Sequence, residues 1–335
     1  MRFKLKRVRD QVIVITGASS GIGLTAAEMA AAHGARVVMN ARNEVDLQQA
    51  VERIRQRGGE AIAVPGDVAD DEAMDLLAQR AVDNFGRIDT WVNNAGIGMY
   101  GRLWEMPMAE KRRLFDVNFW GVVNGCKTAV RHLRAQGGTI INIGSVASGR
   151  AIPLLGIYSA SKFAVKGYTD ALRMEVEQAG WPIAITLVKP ASINTPFIEH
   201  ARNHMQWEPE FAPPVYAPEE VARTILRCAE RPTREIIVGG SGRMVSLMGT
   251  IAPRLTDHVM ERTLITQQQK NERAHTPDSL YEPQQDGHRR GPTERHTMER
   301  SAYTRAALSD AARVLPLVAI GALVAATVRT MRKAG

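Results

Sequence analysis

Tyr158 and Lys162 stand four residues apart in a helix-favouring stretch, 158–178. At that spacing both side chains share one helical face. A phenol with an ordinary pKa of about 10 is a poor acid or base at neutral pH, and a nearby ammonium favours the phenolate. Such a pair could give a proton to a carbonyl oxygen or take one from a hydroxyl. The same spacing describes a tyrosine and a lysine on a solvated helix face, so the pair alone decides nothing. Ser145 lies upstream, after an apolar run at 139–143, where its hydroxyl could hold the substrate oxygen. A serine in a turn after a strand occupies such a place without function too. Ser148, Ser159 and Ser161 rival it by residue type.

A second group of residues suits phosphate. Thr16-Gly17-Ala18-Ser19-Ser20-Gly21-Ile22-Gly23 follows a β-branched run and opens an Ala-rich helix. Gly17 permits a tight turn, Gly21 lets a diphosphate approach the backbone, and Gly23 lets the helix pack close to the sheet. The helix N-terminus offers unpaired N–H groups and a positive dipole end. The next strand ends in Met39-Asn40-Ala41-Arg42-Asn43. No acid stands there for a ribose 2′-hydroxyl, while Arg42 suits a bidentate 2′-phosphate contact. NADP(H) is therefore expected over NAD(H). Glu44 and Asp46 read as first-turn acids of the following helix.

The elements that must position these groups alternate. Residues 12–15, 36–39, 61–64, 90–92, 139–143, 183–188 and 235–238 read as strands, and 25–33, 47–57, 72–85, 114–134, 158–178 and 218–230 as helices. Such alternation predicts an α/β fold, a Rossmann-like doubly wound parallel sheet with helices on both faces. It ends near residue 250.

The G-x-x-x-G-x-G spacing, Asn93-Asn94-Ala95-Gly96, Ser145 and Tyr158-x-x-x-Lys162 together resemble the short-chain dehydrogenase/reductase family in its single-domain form, over about residues 7–248. The resemblance implies that Tyr158 is the acid/base, Lys162 tunes it and Ser145 orients the substrate. Asn118 would hold a water linking Lys162 to solvent; a local kink or a capping bond is the other reading. Gly17, Ser19, Ser20, Gly21, Ile22 and Gly23 would cradle the diphosphate. Asn94, Ala95 and Gly96 would line the cofactor, and Asp67-Val68 would meet adenine. Asp67 also reads as a turn or helix-start acid. Pro190 and Thr195 match the segment beside the nicotinamide carboxamide, although Ala191 replaces the family's usual glycine. The family's variable substrate lid falls on residues 197–216, with Phe197, Met205, Trp207, Phe211, Pro213, Pro214 and Tyr216. Those side chains suit either a bulky hydrophobic substrate or anchorage of the loop to the core. Homo-oligomers are expected by resemblance. An epimerase or dehydratase on the same fold, or a sensor or scaffold that binds NADP(H) without turnover, would carry the same glycine loop.

Composition agrees with an intracellular globular protein. Of 335 residues 44% are hydrophobic, and the two cysteines, Cys126 and Cys228, exclude a disulfide framework. The net charge of +8 gathers at the chain ends, without the interleaved aromatics that single-strand nucleic-acid binding needs. No metal-binding motif appears; His200 and His204 are a bare i,i+4 pair. The catalytic domain is placed at 7–250, with a polar linker, read as disordered, at 265–303. The apolar tail at 304–335 follows. Its uncharged run 314–328 would be about 22 Å long as a helix. It suits a membrane anchor with the enzyme cytoplasmic, or a helix docked on protein.

Overall fold

Five consecutive buried residues make Val12–Thr16 (β1) a strand covered on both faces. Ile13 and Ile15 enter one apolar cluster, and Val12 and Val14 the other. That alternation is what a fully buried parallel strand requires. Arg36–Ala41 (β2), Glu60–Pro65 (β3), Thr90–Asn93 (β4), Gly138–Ile143 (β5), Ile183–Pro190 (β6) and Glu235–Val238 (β7) join it in one sheet. The spatial order is β7-β6-β5-β4-β1-β2-β3, and every pairing is parallel. The order reverses between β1 and β4, which opens a crevice at the carboxyl ends of the strands. The computed structural model describes residues 4–273, 278–284, 287–293 and 295–309.

Gly21–Ala32 (α1), Glu44–Gln56 (α2) and Pro218–Glu230 (α7) cover one face of the sheet. Asp71–Phe85 (α3), Gly121–Gln136 (α5) and Gly156–Gln178 (α6) cover the other. The Rossmann-like doubly wound α/β fold is thus as the sequence indicates. Asn43 caps α2, its side chain accepting from the Asp46 amide, with Glu44 and Asp46 in the first turn.

Two stretches differ from their sequence readings. Residues 114–134 are not one uniform helix. Met108–Phe115 (α4) passes through a π-helical turn, Asp116–Trp120, before α5 starts. The wider turn carries Asn118 inward, where it is fully buried. Residues 265–303 also depart from a bare linker. Pro253–Gln267 continues as helix, Gln269–Arg273 pairs with Trp207–Pro209, and Thr297–Met298 pairs with Val215–Tyr216. Between these, 278–284 and 287–293 lie along the mouth of the crevice. Composition underestimates this stretch because most of its ties among the described residues are hydrogen bonds to backbone carbonyls, which residue type does not record; Leu280 is its buried apolar side chain among those residues. The short helix Ala302–Leu308 is held by the Ser301 amide on Glu220 and by the Gly239 amide on Thr304. Residues 314–328 lie outside the described residues. Among the described residues no helix is long and apolar enough to cross a membrane.

Candidate active site

The glycine loop is built by the end of β1. Gly17 takes a φ of +62°, open to glycine at no steric cost. The Thr16 hydroxyl accepts from the amides of Asn94 and Ala95, both at 3.1 Å. The Asn94 side chain donates to the carbonyls of Thr16 (2.9 Å) and Gly17 (3.0 Å). Asn94 therefore ties the loop to the end of β4, a bracing role beside the lining role expected of it. A Cβ at Gly23 would stand 2.0 Å from the Gly17 carbonyl oxygen. Gly23→Ala is accordingly expected to force the loop off α1 and weaken dinucleotide binding by at least about tenfold. Titration of dinucleotide fluorescence beside a melting curve checks it; unchanged affinity would remove the loop from cofactor binding.

At the other end of the crevice, α6 begins at Gly156 and presents Tyr158 and Lys162 on one face. The Tyr158 ring lies edge-on to Phe197, with centroids 5.4 Å apart. The Lys162 Nζ is 5.7 Å from the Tyr158 ring centroid and donates to the Ile143 carbonyl at 3.0 Å. Ser145 follows β5 and caps the short turn Val146–Ser148; its Oγ accepts from the Ala147 amide at 3.1 Å. The hydroxyl proton of Ser145 is thereby left to donate elsewhere. Asn118 bonds both sides of the Ile97 peptide unit, through Oδ1 at 2.8 Å and Nδ2 at 2.9 Å, and reaches the Ser161 hydroxyl at 3.2 Å. A Cβ on Gly96 would touch Asn118 Oδ1 at 3.3 Å and Lys162 Nζ at 3.5 Å, so these three residues meet in one place.

One expectation is corrected here. The lysine was expected to depress the phenol. Instead burial pushes the Tyr158 phenol up to about 12, with the Ser145 hydroxyl acting weakly in the opposite sense. Burial also pushes the Lys162 amine down to about 8. Desolvation disfavours the charged form of each.

At the end of β3, Asp67 and Val68 follow the strand, and Val68 is buried against α5. Asp67 accepts from the Ala69 amide at 3.0 Å and pairs with Arg113. Burial acts to raise its carboxyl, but those two hydrogen bonds and the charge of Arg42 carry it below the ordinary range. Arg42 lies beside it, with its guanidinium on the carbonyls of residues 279–281. Thr195 faces the loop across the crevice: a Cβ on Gly21 would meet the Thr195 Cβ at 3.2 Å.

A cavity of about 360 Å³ is lined by Gly17, Ser19, Ser20, Gly21 and Ile22, by Arg42, Asp67 and Val68, by Asn94, Ala95 and Gly96, and by Ser145, Tyr158, Lys162 and Thr195, whereas Gly23 and Asn118 stand behind its wall. Of the lid residues, Phe197, Phe211 and Pro213 line it. Tyr216 is buried in the apolar core and Trp207 is exposed. Some lid side chains therefore face the cavity, while Tyr216 anchors the segment to the core. The sequence reading missed Glu210, Met260, Leu264 and Gln268, which also line the cavity. Glu210, although buried, carries no local pattern that would single it out. The two helical residues come from beyond the region of resemblance.

Comparison with known proteins agrees with this geometry. A family model described as short chain dehydrogenase matches residues 11–206. The oxidoreductase YxnA of Bacillus subtilis is 40% identical over 311 residues, covering 91% of this chain and 87% of its own. The oxidoreductase SadH of Mycobacterium tuberculosis is 33% identical over 249 residues, 72% of this chain and 90% of its own. Among solved structures, a short chain dehydrogenase/reductase of Burkholderia phymatum in complex with NAD superimposes with a TM-score of 0.69 at 28% identity, over 76% of this chain and 96% of that one. An alcohol dehydrogenase of Thermococcus sibiricus complexed with 5-hydroxy-NADP gives 0.60 at 26%, over 68% and 95%.

Proposed function

This chain belongs to the short chain dehydrogenase family, and we propose that it interconverts a carbonyl and an alcohol on a hydrophobic substrate with NADP(H), Tyr158 handling the proton. The observation that carries this reading is the meeting of Ser145, Tyr158 and Lys162 at one end of a crevice whose other end is the glycine loop. The residues fit a nicotinamide dinucleotide: a Cβ at Gly23 would collide with the loop, and the α1 N-terminus faces the same cavity. When bound, that cofactor supplies or accepts the hydride. The Ser145 hydroxyl donates to the substrate oxygen and holds it beside the Tyr158 hydroxyl. Tyr158 gives its proton to that oxygen in reduction and takes one in oxidation. Lys162, buried against the Ile143 carbonyl, sets the charge next to the phenol, and Asn118 braces the peptide at Ile97 behind it. Phe197, Leu155, Phe211, Met260 and Leu264 exclude water from the substrate end.

Structural relatives carry both kinds of cofactor, so the choice of NADP(H) rests on Arg42 in this chain. Arg42→Ala is expected to raise KM for NADPH by about 10–100-fold while leaving NADH nearly unaffected, as loss of charge-assisted contacts to one phosphate predicts. Steady-state kinetics with both cofactors check it. The reaction class is tested by following NADPH oxidation over aldehydes, ketones and quinones. A protein that binds NADPH and oxidises it with none of them is not this enzyme.

A further inference from the structure

Residues 278–284 and 287–293 meet the crevice at the two places where phosphates would be held. At one, Arg42 Nη1 donates to the carbonyls of Tyr281 (2.9 Å) and Leu280 (3.5 Å), and Nη2 to that of Ser279. At the other, the amide of Gly21, the first residue of α1, donates to the His288 carbonyl at 2.9 Å. Two further donors reach the same segment: the Asn43 side chain on the Gln284 carbonyl at 3.0 Å, and Arg113 Nε on that of Leu280 at 3.2 Å. Separate contacts hold the segment down. Leu280 is fully buried in the apolar cluster that contains Val68 and Val117. Asp278 pairs with Arg202 at 2.7 Å, Arg289 pairs with Glu28, and the Gly291 amide donates to Asn194 Oδ1 at 3.1 Å.

A carbonyl oxygen and a phosphate oxygen both carry negative charge and ask for the same donors. Three carbonyl oxygens take three of the five N–H groups of the guanidinium, and a phosphate brought to the remaining two would lie against those oxygens. Repulsion between the two sets of acceptors therefore favours an exchange of partners when a 2′-phosphate binds. A ribose 2′-hydroxyl has no such requirement, because it neither needs the guanidinium nor repels the carbonyls.

We propose that the carbonyls of residues 279–281 are built-in competitors for the 2′-phosphate of the dinucleotide, which takes Arg42 from them, so that this segment sets the apparent affinity for the phosphorylated cofactor and the choice between NADP(H) and NAD(H). The idea rests on the NADP(H) reading above and deepens it. Affinity for the phosphorylated cofactor is reduced by the fraction of molecules in which the segment holds Arg42. Residues outside the family match at 11–206 thereby become part of the cofactor site.

The test uses the full chain and two probes that differ in one group, adenosine 2′,5′-bisphosphate and AMP. Amide hydrogen exchange is read at Ser279 and Leu280, whose N–H groups donate to the His200 carbonyl and the Asp278 carboxylate. Saturating bisphosphate is expected to speed their exchange at least about tenfold relative to AMP. In a second arm, Leu280→Ala loosens the segment without altering a donor of the crevice. It is expected to tighten bisphosphate binding by about tenfold and leave AMP unchanged. Equal exchange with both probes, or weaker bisphosphate binding in Leu280→Ala, overturns the competition. Bisphosphate binding no tighter than AMP in the wild type overturns the NADP(H) reading itself, and the competition with it.

Discussion

Tyr158→Phe is expected to lower kcat by about 10²–10⁴-fold while dinucleotide affinity stays within about twofold, the span that general acid–base groups supply. The substitution keeps the ring, its edge-on packing on Phe197 and its place at the start of α6, and removes one hydroxyl. Pre-steady-state turnover beside a fluorescence titration separates the two effects. The pH dependence has a direction as well. Burial pushes the phenol up to about 12, so it stays protonated over the neutral range. Reduction, which uses the protonated form, should be nearly flat with pH there. Oxidation needs the phenolate and should climb with pH by up to about tenfold per unit. Wild-type rates in Tyr158→Phe would move the proton to another group and with it the whole assignment of the site.

The parts of this site that the sequence reveals are those in which one residue type does one job at a fixed spacing. The glycine loop is legible because a Cβ at Gly17, already at a φ of +62°, would stand 2.7 Å from the Ala95 Cα, and one at Gly23 would stand 2.0 Å from the Gly17 carbonyl oxygen. Tyr158 and Lys162 are legible because helical periodicity places them together. Asn118 stands out as a poor helix former, but the π turn that buries it depends on packing around Ile97, which no local pattern encodes. The segment formed by 278–284 and 287–293 is the largest omission. Its polar composition suggests a chain unable to bury enough surface, and that inference counts side chains. What holds it to the crevice is largely its own carbonyls, taken by Arg42, Asn43, Arg113 and the Gly21 amide, and every residue has a carbonyl. Arg42 stands out in the sequence as a basic residue just after β2, whereas the carbonyls that it donates to do not.

Lys162→Met should lose turnover by at least about 10²-fold and yet melt no lower, and by up to a few degrees higher, at pH 7. The two effects come from one cause. Burial lowers the amine to about 8, so the folded protein holds this proton less well than the unfolded chain does. The difference from an ordinary lysine corresponds to about 3 kcal/mol against the folded state wherever the charge is carried. Methionine keeps the length and removes the charge; it also strips the Ile143 carbonyl of its donor, which costs about 1–3 kcal/mol. The sign of the pH dependence follows from proton counting. Between about 8 and the unfolded value near ~10.5, the unfolded chain binds the proton and the folded one does not, so wild-type stability rises with pH across that window. The variant lacks the rise, and its advantage in Tm should shrink between pH 7 and 9.5. Activity responds through the phenol: without an ammonium nearby, the phenolate is harder to form, and the residual oxidation profile should move to higher pH. A lysine that served packing alone would give a lower Tm and an unmoved profile, and that pair of results would remove Lys162 from the chemistry.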